Sequence, residues 1–518
     1  MRAGLKVQLA LALAGQIVVP LTASAIQTTI GGRTVDLDTL LTIREVVEQD
    51  RDTTHEPTME QLRVRLAVSL TDWLRFDSTT TGTHGGPVLS SDPSGIYNLK
   101  DTFQSKWWSV EFDEVFFDFH LADLDVRIGK QKVSWGKLDR FQPTDFINPY
   151  TYNDPFIVDE ADRKIGIPAL QASYYLPQDW GAPPESRFTL VWVPHYYPFR
   201  FPPSQCVVEG GVSRCTIERW FPPAAIPNTT FVIPAAPPLV PTDIAVPVGF
   251  QTLNVDPPAF RFENSGIGLR FSAFVHEVDM SFSFYHGFDS QPSFALTADA
   301  LGDPDPMNPP FVRNLSAQTT LTPHFQNIDA AGADFAYAFG SFTVRGEGAF
   351  VHNRAFPRDL RGLVSDPAAL APEIQKAIAA LAMGAGRVPV ALPSAFEVSD
   401  AFEWGVGGDY LWEGYLILLQ LNQTDVFNSD VDLLIEDVDT RLLANLRKNF
   451  LSDTLRTQFV VLYGIESDYT LLRPIVGYQV TDHIAVEAGY LFIAGRSRSV
   501  IGQYKANKEA WFQVEFRL

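Results

Sequence analysis

The side chains best equipped for covalent chemistry in this 518-residue chain are Asp118, His120 and Ser134, a carboxylate, an imidazole and a hydroxyl within one short stretch. A hydrolase needs such groups hydrogen-bonded in order, with donors waiting for the oxyanion. The chain offers no G-x-S-x-G elbow, no H-E-x-x-H helix and no phosphate-binding glycine loop. Closeness along an extended segment does not build a triad, so the chain reads as a non-enzyme, and no cofactor is implied. A second candidate chemistry is cation binding by Asp425, Asp430, Asp432, Glu436, Asp437 and Asp439 in "DVFNSDVDLLIEDVDT". Carboxylate oxygens suit Ca²⁺, such as one bridging lipopolysaccharide, but EF-hand spacing is missing and a solvated acidic face is the plainer expectation. No metal is assigned. A third is the pair Cys206 and Cys215 in "SQCVVEGGVSRC". In an exported chain this spacing predicts a disulfide that closes one small loop around Gly210-Gly211.

Export follows from the first residues, "MRAGLKVQLALALAGQIVVPLTASA". Arg2 and Lys6 precede an apolar run, and Ala23-Ser24-Ala25 forms a cleavage site, so residues 1–25 are expected to be a signal peptide cut after Ala25. No later apolar stretch is long enough for a spanning helix. The formal net charge is -21, which argues against a nucleic-acid partner, since binding to phosphates requires a basic surface.

What must position any functional group is a sheet. In "GIGLRFSAFVHEVDMSFSFYHGF", Ile267, Leu269, Phe271, Ala273 and Val275 alternate with Gly268, Arg270 and Ser272; Val278, Met280, Phe282 and Phe284 resume the pattern with Asp279, Ser281, Ser283 and Tyr285 between them. The same period of two recurs near residues 342–350, 402–412, 455–463, 472–480 and 484–492, the signature of strands with one wet face. Tiny connections such as His276-Glu277, Gly340-Ser341 and Glu413-Gly414 alternate with long ones, including 136–167, 196–262, 289–323 and 353–397. About eighteen strands result, with sixteen the alternative count. Strands long enough to cross a bilayer, with aromatic ends at Trp404, Tyr410, Trp412 and Tyr415, predict one transmembrane antiparallel up-and-down β-barrel over residues 26–518. Parity switches at Asp113-Glu114 and near Gly129 read as bulges. The final "WFQVEFRL" has the alternating, aromatic-rich form that barrel-assembly machinery reads in outer-membrane proteins.

One stretch is more specific. Residues 129–136, "GKQKVSWG", followed by Ile147-Asn148-Pro149, resemble a proteobacterial family of porin-like barrels catalogued as domain of unknown function 1302. The resemblance implies an outer-membrane location, in a Gram-negative bacterium, and transport of small molecules, hydrophobic compounds among them. It supplies no established site.

The residues themselves suggest where a solute would pass. A charged segment from Gly136 to Ile167 is expected to fold inward, with Lys137, Asp139, Arg140 and Asp145 as constriction candidates. If the apolar faces meet lipid, the alternate residues face the lumen. The pore-lining candidates are then Arg127, Arg270, Arg345, Glu347, Glu403, Asp409, Arg441, Arg447, Arg456 and Arg473, with Arg441, Arg447, Arg456 and Arg473 as a basic arc. The alternative is paired charges filling a closed lumen. Expected partners are outer-membrane lipid and lipopolysaccharide, the assembly machinery and a small-molecule solute; a non-conducting barrel whose loops bind a partner is the competing reading. The proline-rich 196–262 loop is expected to be an external flap without strand interior, and "DPAALAPEIQKAIAALAM", residues 366–383, a helix burying Leu370, Ile374, Ala377, Ile378 and Leu381.

Overall fold

The computed structural model describes residues 26–517 apart from 31, 49–57, 86–107, 153–154, 201–205, 210–211, 216–228, 234–243, 253–257, 306, 308–311, 360–369, 428, 430 and 498. The expected signal peptide, residues 1–25, lies outside the described residues.

Eighteen strands close into an antiparallel transmembrane barrel. In chain order they are β1 (Arg33–Glu48), β2 (Met59–Thr71), β3 (Leu74–Gly85), β4 (Trp108–Leu121), β5 (Leu124–Gln131), β6 (Ile167–Tyr175), β7 (Arg187–Val193), β8 (Gly266–Val275) and β9 (Val278–Phe288). They continue as β10 (Asn327–Phe339), β11 (Phe342–Pro357), β12 (Phe396–Trp412), β13 (Tyr415–Val426), β14 (Val438–Phe450), β15 (Leu455–Gly464), β16 (Tyr469–Thr481), β17 (Ile484–Gly495) and β18 (Glu509–Arg517). Each pairs with its sequence neighbour, and closure comes from β18 against β1, in register from Leu40↔Arg517 to Glu48↔Glu509. Closure leaves no lipid-facing edge to hydrogen-bond. A short strand, Ile26–Ile30, doubles back on the start of β1.

The tight turns obey local chemistry. His276 and Glu277 have φ of 48° and 67°, the left-handed pair of a two-residue hairpin turn whose twist matches its strands. The outer face carries the apolar members of the alternation: Leu269, Phe282 and Leu419 are 50%, 58% and 60% exposed, a belt that only hydrocarbon would cover. Asp113 is a bulge, because Thr79 pairs with Glu114 and Thr80 with Phe112. Gly129 is not one: its register is unbroken. Its φ is 139°, and an added Cβ would lie 2.3 Å from the Val115 carbonyl oxygen, so glycine lets the backbone bend there without an extra residue.

Three long connections differ from simple loops. Strands Thr229–Ile233, Ile244–Thr252, Val312–His324, Ser293–Pro304 and Arg387–Val390 form a second sheet in that order. The helix Ala371–Ala382 buries Ala377, Ile378 and Leu381 against it. Ile374, Ala377, Ile378 and Leu381 thus share the expected face; Asp366 and Pro367 lie outside the described residues. The 196–262 connection also departs from expectation, for it contains four strands. Proline is tolerated because Pro247 precedes Val248, where the strand first joins Val312–His324. Cys206 stands opposite Cys215 in a small hairpin; the expected disulfide rests on side chains outside those described.

Candidate functional site

Residues 132–152 and 155–166 follow β5 and fold into the lumen. Asn148 clamps both ends of this segment: its Oδ1 accepts from the Val133 amide at 2.7 Å, and its Nδ2 donates to the Gln131 and Ile165 carbonyls at 3.1 and 2.8 Å. Beside it the Lys164 ammonium meets Asp145 at 2.5 Å, the Ser134 hydroxyl at 3.0 Å and the Val133 carbonyl at 3.2 Å. Tyr150 donates to Asp145 at 2.9 Å. The Lys164 and Asp145 side chains are buried, and burial is tolerable because each charge has a partner.

The tip is held by the far wall. Glu347 on β11 accepts hydrogen bonds from the Lys137 and Leu138 amides and from the Thr144 hydroxyl at 3.0 Å. Gly136, at φ 91°, permits the approach, since a Cβ there would sit 2.8 Å from both Glu347 oxygens. On β13, Gln420 accepts from the Asp139 amide at 3.2 Å and Asn422 donates to the Phe141 carbonyl at 3.0 Å. On β16, Arg473 donates to the Phe156 and Ile157 carbonyls at 2.8 and 2.9 Å and meets Asp159 at 3.1 Å. Burial opposes ionisation of Asp159, but the Arg473 and Arg140 charges outweigh it and hold the carboxyl below its ordinary range. Asp139 goes the other way, since burial pushes it up despite Arg345.

This contact corrects the expectation of a uniformly wet interior. Leu443, Val460, Leu462, Leu471, Leu491 and Ile493 point inward and pack with Ile157, Phe141 and Phe156. A wall strand covered on both faces loses its polar alternation, and "FVVLY" at 459–463 and "YLILL" at 415–419 are the visible trace.

The segment divides the lumen into two cavities. The larger, about 1150 Å³, lies along β1–β4 and β18. Its lining runs from Asp482, His483 and Arg517 at the short-turn end to Gly85 and Ser109 at the long-loop end. Arg44, Arg63 and Arg65 stand on one side, Glu111, Asp113 and Glu114 on the other, and Thr79, Thr81 and Thr83 between them. The smaller, about 390 Å³, lies among the long connections and is walled by aromatic residues.

None of the ten pore-lining candidates lines the larger cavity. Arg127 is paired with Asp118 at 2.6 Å, Arg270 with Asp334 at 2.8 Å, and Arg345 with Asp409 and Asp139. Arg456 meets Glu487, Arg473 is buried under the segment, and Arg447 is exposed. Glu403 and Arg441 line the smaller cavity, where Arg354 and Asp439 respectively engage them. The basic arc therefore splits. Among the constriction candidates, Lys137 meets Asp279 at 2.5 Å, Asp139 meets Arg345 at 3.3 Å, Arg140 meets Asp159 at 3.6 Å and Asp145 holds Lys164. Lys137 and Asp139 tie the segment to the wall, and Arg140 and Asp145 brace it internally. The hydrolase-like trio is dispersed, with Asp118 on Arg127, His120 on Asp125 and Ser134 on Lys164. Residues that sequence reading passed over, Arg44, Arg63, Arg65 and the threonine row, were visible as "LTIREV", "EQLRVR" and "DSTTTGT".

A family model described as "Protein of unknown function (DUF1302)" matches residues 75–436. No curated protein matches the chain. Similar solved structures include OccK8 (OprE) of Pseudomonas aeruginosa, at 8% identity and TM-score 0.45, covering 93% of this chain and 98% of that one. OccAB1 of Acinetobacter baumannii is similar at 8% identity and TM-score 0.43, covering 96% and 98%. OmpF of Salmonella typhi, in complex with daunomycin, is similar at 9% identity and TM-score 0.38, covering 95% and 100%.

Proposed function

The chain belongs to the DUF1302 family of proteins of unknown function, and from that premise we propose that it is a passive, porin-like channel for small polar solutes in the outer membrane of a Gram-negative bacterium. The observation that carries this reading is the larger cavity, whose polar lining extends from one barrel end to the other beside the inward segment. Hydroxyls of Thr79, Thr81 and Thr83 replace lost hydration, and the opposed Arg and Glu/Asp rows orient a dipolar solute while discriminating by charge. The route follows β1–β4; Lys137 and Asp139 anchor the segment that narrows it, and Arg140 and Asp145 brace that segment from within. Lipopolysaccharide around the outer rim and the assembly machinery at the "WFQVEFRL" strand are the partners this placement calls for.

The test is planar-bilayer conductance of the refolded mature chain. Stepwise conductance whose reversal potential moves when Arg44, Arg63 and Arg65 are neutralised supports the reading; a sealed bilayer with heat-modifiable, folded protein defeats it. The second sheet with its packed helix favours one further reading, a surface that binds a partner. That reading survives a sealed bilayer, whereas the channel does not.

A further inference from the structure

The smaller cavity has no part in the polar route, yet it carries an under-used cation. Arg163 lines both cavities, standing at the seam between them. Its Nε is buried without a hydrogen-bond partner, and its Nη1 reaches the Thr151 carbonyl at only 3.5 Å. The other guanidinium groups of this cavity are engaged: Arg354 meets Asp289 at 3.0 Å and Glu403 at 2.5 Å, and Arg441 meets Asp439 at 2.6 Å. Asp145 is held by Lys164. Glu160, the remaining acid of the lining, is pushed above the ordinary carboxylate range by burial, against the pull of the Arg163 charge.

The walls beside Arg163 are aromatic. Its guanidinium lies 5.7 Å from the Tyr150 ring centre. Tyr150 and Tyr152 both pack on Phe199, at 5.6 and 5.7 Å, and the bond from Tyr150 to Asp145 fixes the ring. A cavity of about 390 Å³ falls within the usual range for a small-ligand pocket. An unsatisfied planar guanidinium recognises a carboxylate through two parallel hydrogen bonds, and the rings accept an apolar body.

We propose that this vestibule is a binding site for a small aromatic monocarboxylate, with Arg163 holding the carboxylate and Tyr150, Tyr152 and Phe199 holding the ring. The inference extends the channel reading by naming a class of solute captured beside the route, but binding does not require conduction.

The experiment uses the whole mature chain refolded in detergent, with equilibrium dialysis of radiolabelled phenylacetate as the readout. Saturable binding is expected, weakened about tenfold to a hundredfold in 2-phenylethanol, the neutral analogue, and by a similar factor in Arg163→Met, with partial recovery in Arg163→Lys. Equal binding of phenylacetate and 2-phenylethanol by the unaltered protein overturns the assignment without any variant having to fold. So does unchanged phenylacetate binding in a folded Arg163→Met protein. Binding without conductance retains this site and defeats the channel; conductance without phenylacetate binding does the reverse.

Discussion

The two halves of the barrel wall solve opposite problems. From β10 to β17 the inner face holds a folded segment, and many of its inward residues are either apolar, such as Leu462 and Ile493, or bonded to that segment, such as Glu347 and Arg473. From β1 to β4 the inner face lines the larger cavity: Arg65, 3.7 Å from Asp77, keeps a 60% exposed side chain, and threonines alternate along β3. Charges of the same type therefore do different work. Arg473, 2% exposed, fixes a backbone, while Arg65 faces an open cavity. An inward charge in a barrel contributes to permeation only where no segment covers it.

The largest effect expected from breaking this contrast comes at Glu347. In Glu347→Ala, two segment amides and the Thr144 hydroxyl lose their acceptor beside a buried wall. Thermal or denaturant unfolding should show a loss of about 3 kcal/mol, and bilayer conductance should rise as the segment leaves the lumen. Unchanged conductance in that variant would mean the segment does not narrow the route. Next in size is selectivity. Neutralising Arg44, Arg63 and Arg65 together should move the reversal potential toward cation preference, and Glu111→Gln with Glu114→Gln should move it toward anions. The same substitution at Arg456 should do less, because Arg456 lies outside the larger cavity; an equal shift would erase the distinction between the walls.

Smaller still is the response to pH. Asp159 has a lowered pKa in the folded chain, so its contribution is complete above the ordinary carboxylate value, ~4, and is lost as pH falls through its lowered value. Acidification into that window should loosen the Arg473 anchor and raise conductance fluctuation; Asp159→Asn should show the loosened behaviour at neutral pH and little further change in acid. The smallest effect belongs to the outer hairpin. Cys206→Ser with Cys215→Ser should leave conductance unaltered, since the pair lies outside the barrel wall, and thiol titration under denaturing conditions tests whether the bridge exists.

Much of the barrel was legible because the rule behind it is local. Leu269, Phe271, Phe282 and Phe284 face lipid because successive side chains of a strand point to opposite sides, and nothing distant alters that. The bulge at Asp113 was legible for the same reason, as a break in parity. Gly129 was half legible: the backbone irregularity is there, but a glycine conformation replaces the extra residue. The inner wall was far less readable. Alternation marks Arg473 and Arg65 alike as inward, and no neighbouring residue says that Phe156, Ile157 and Asp159 will arrive from more than three hundred positions earlier to cover the first. Continuous apolar runs such as "FVVLY" were the available clue.

By itself, then, the sequence determined which elements form, which face meets the bilayer and which segment is too charged and too interrupted to be wall, because hydrophobic periodicity and turn chemistry act within a few residues. Only the tertiary structure decided which inward charges are spent on anchoring, where the cavities lie and that Arg163 stands between them. Those outcomes depend on where one long segment docks across a closed lumen, a matter of contacts between positions that the chain keeps far apart.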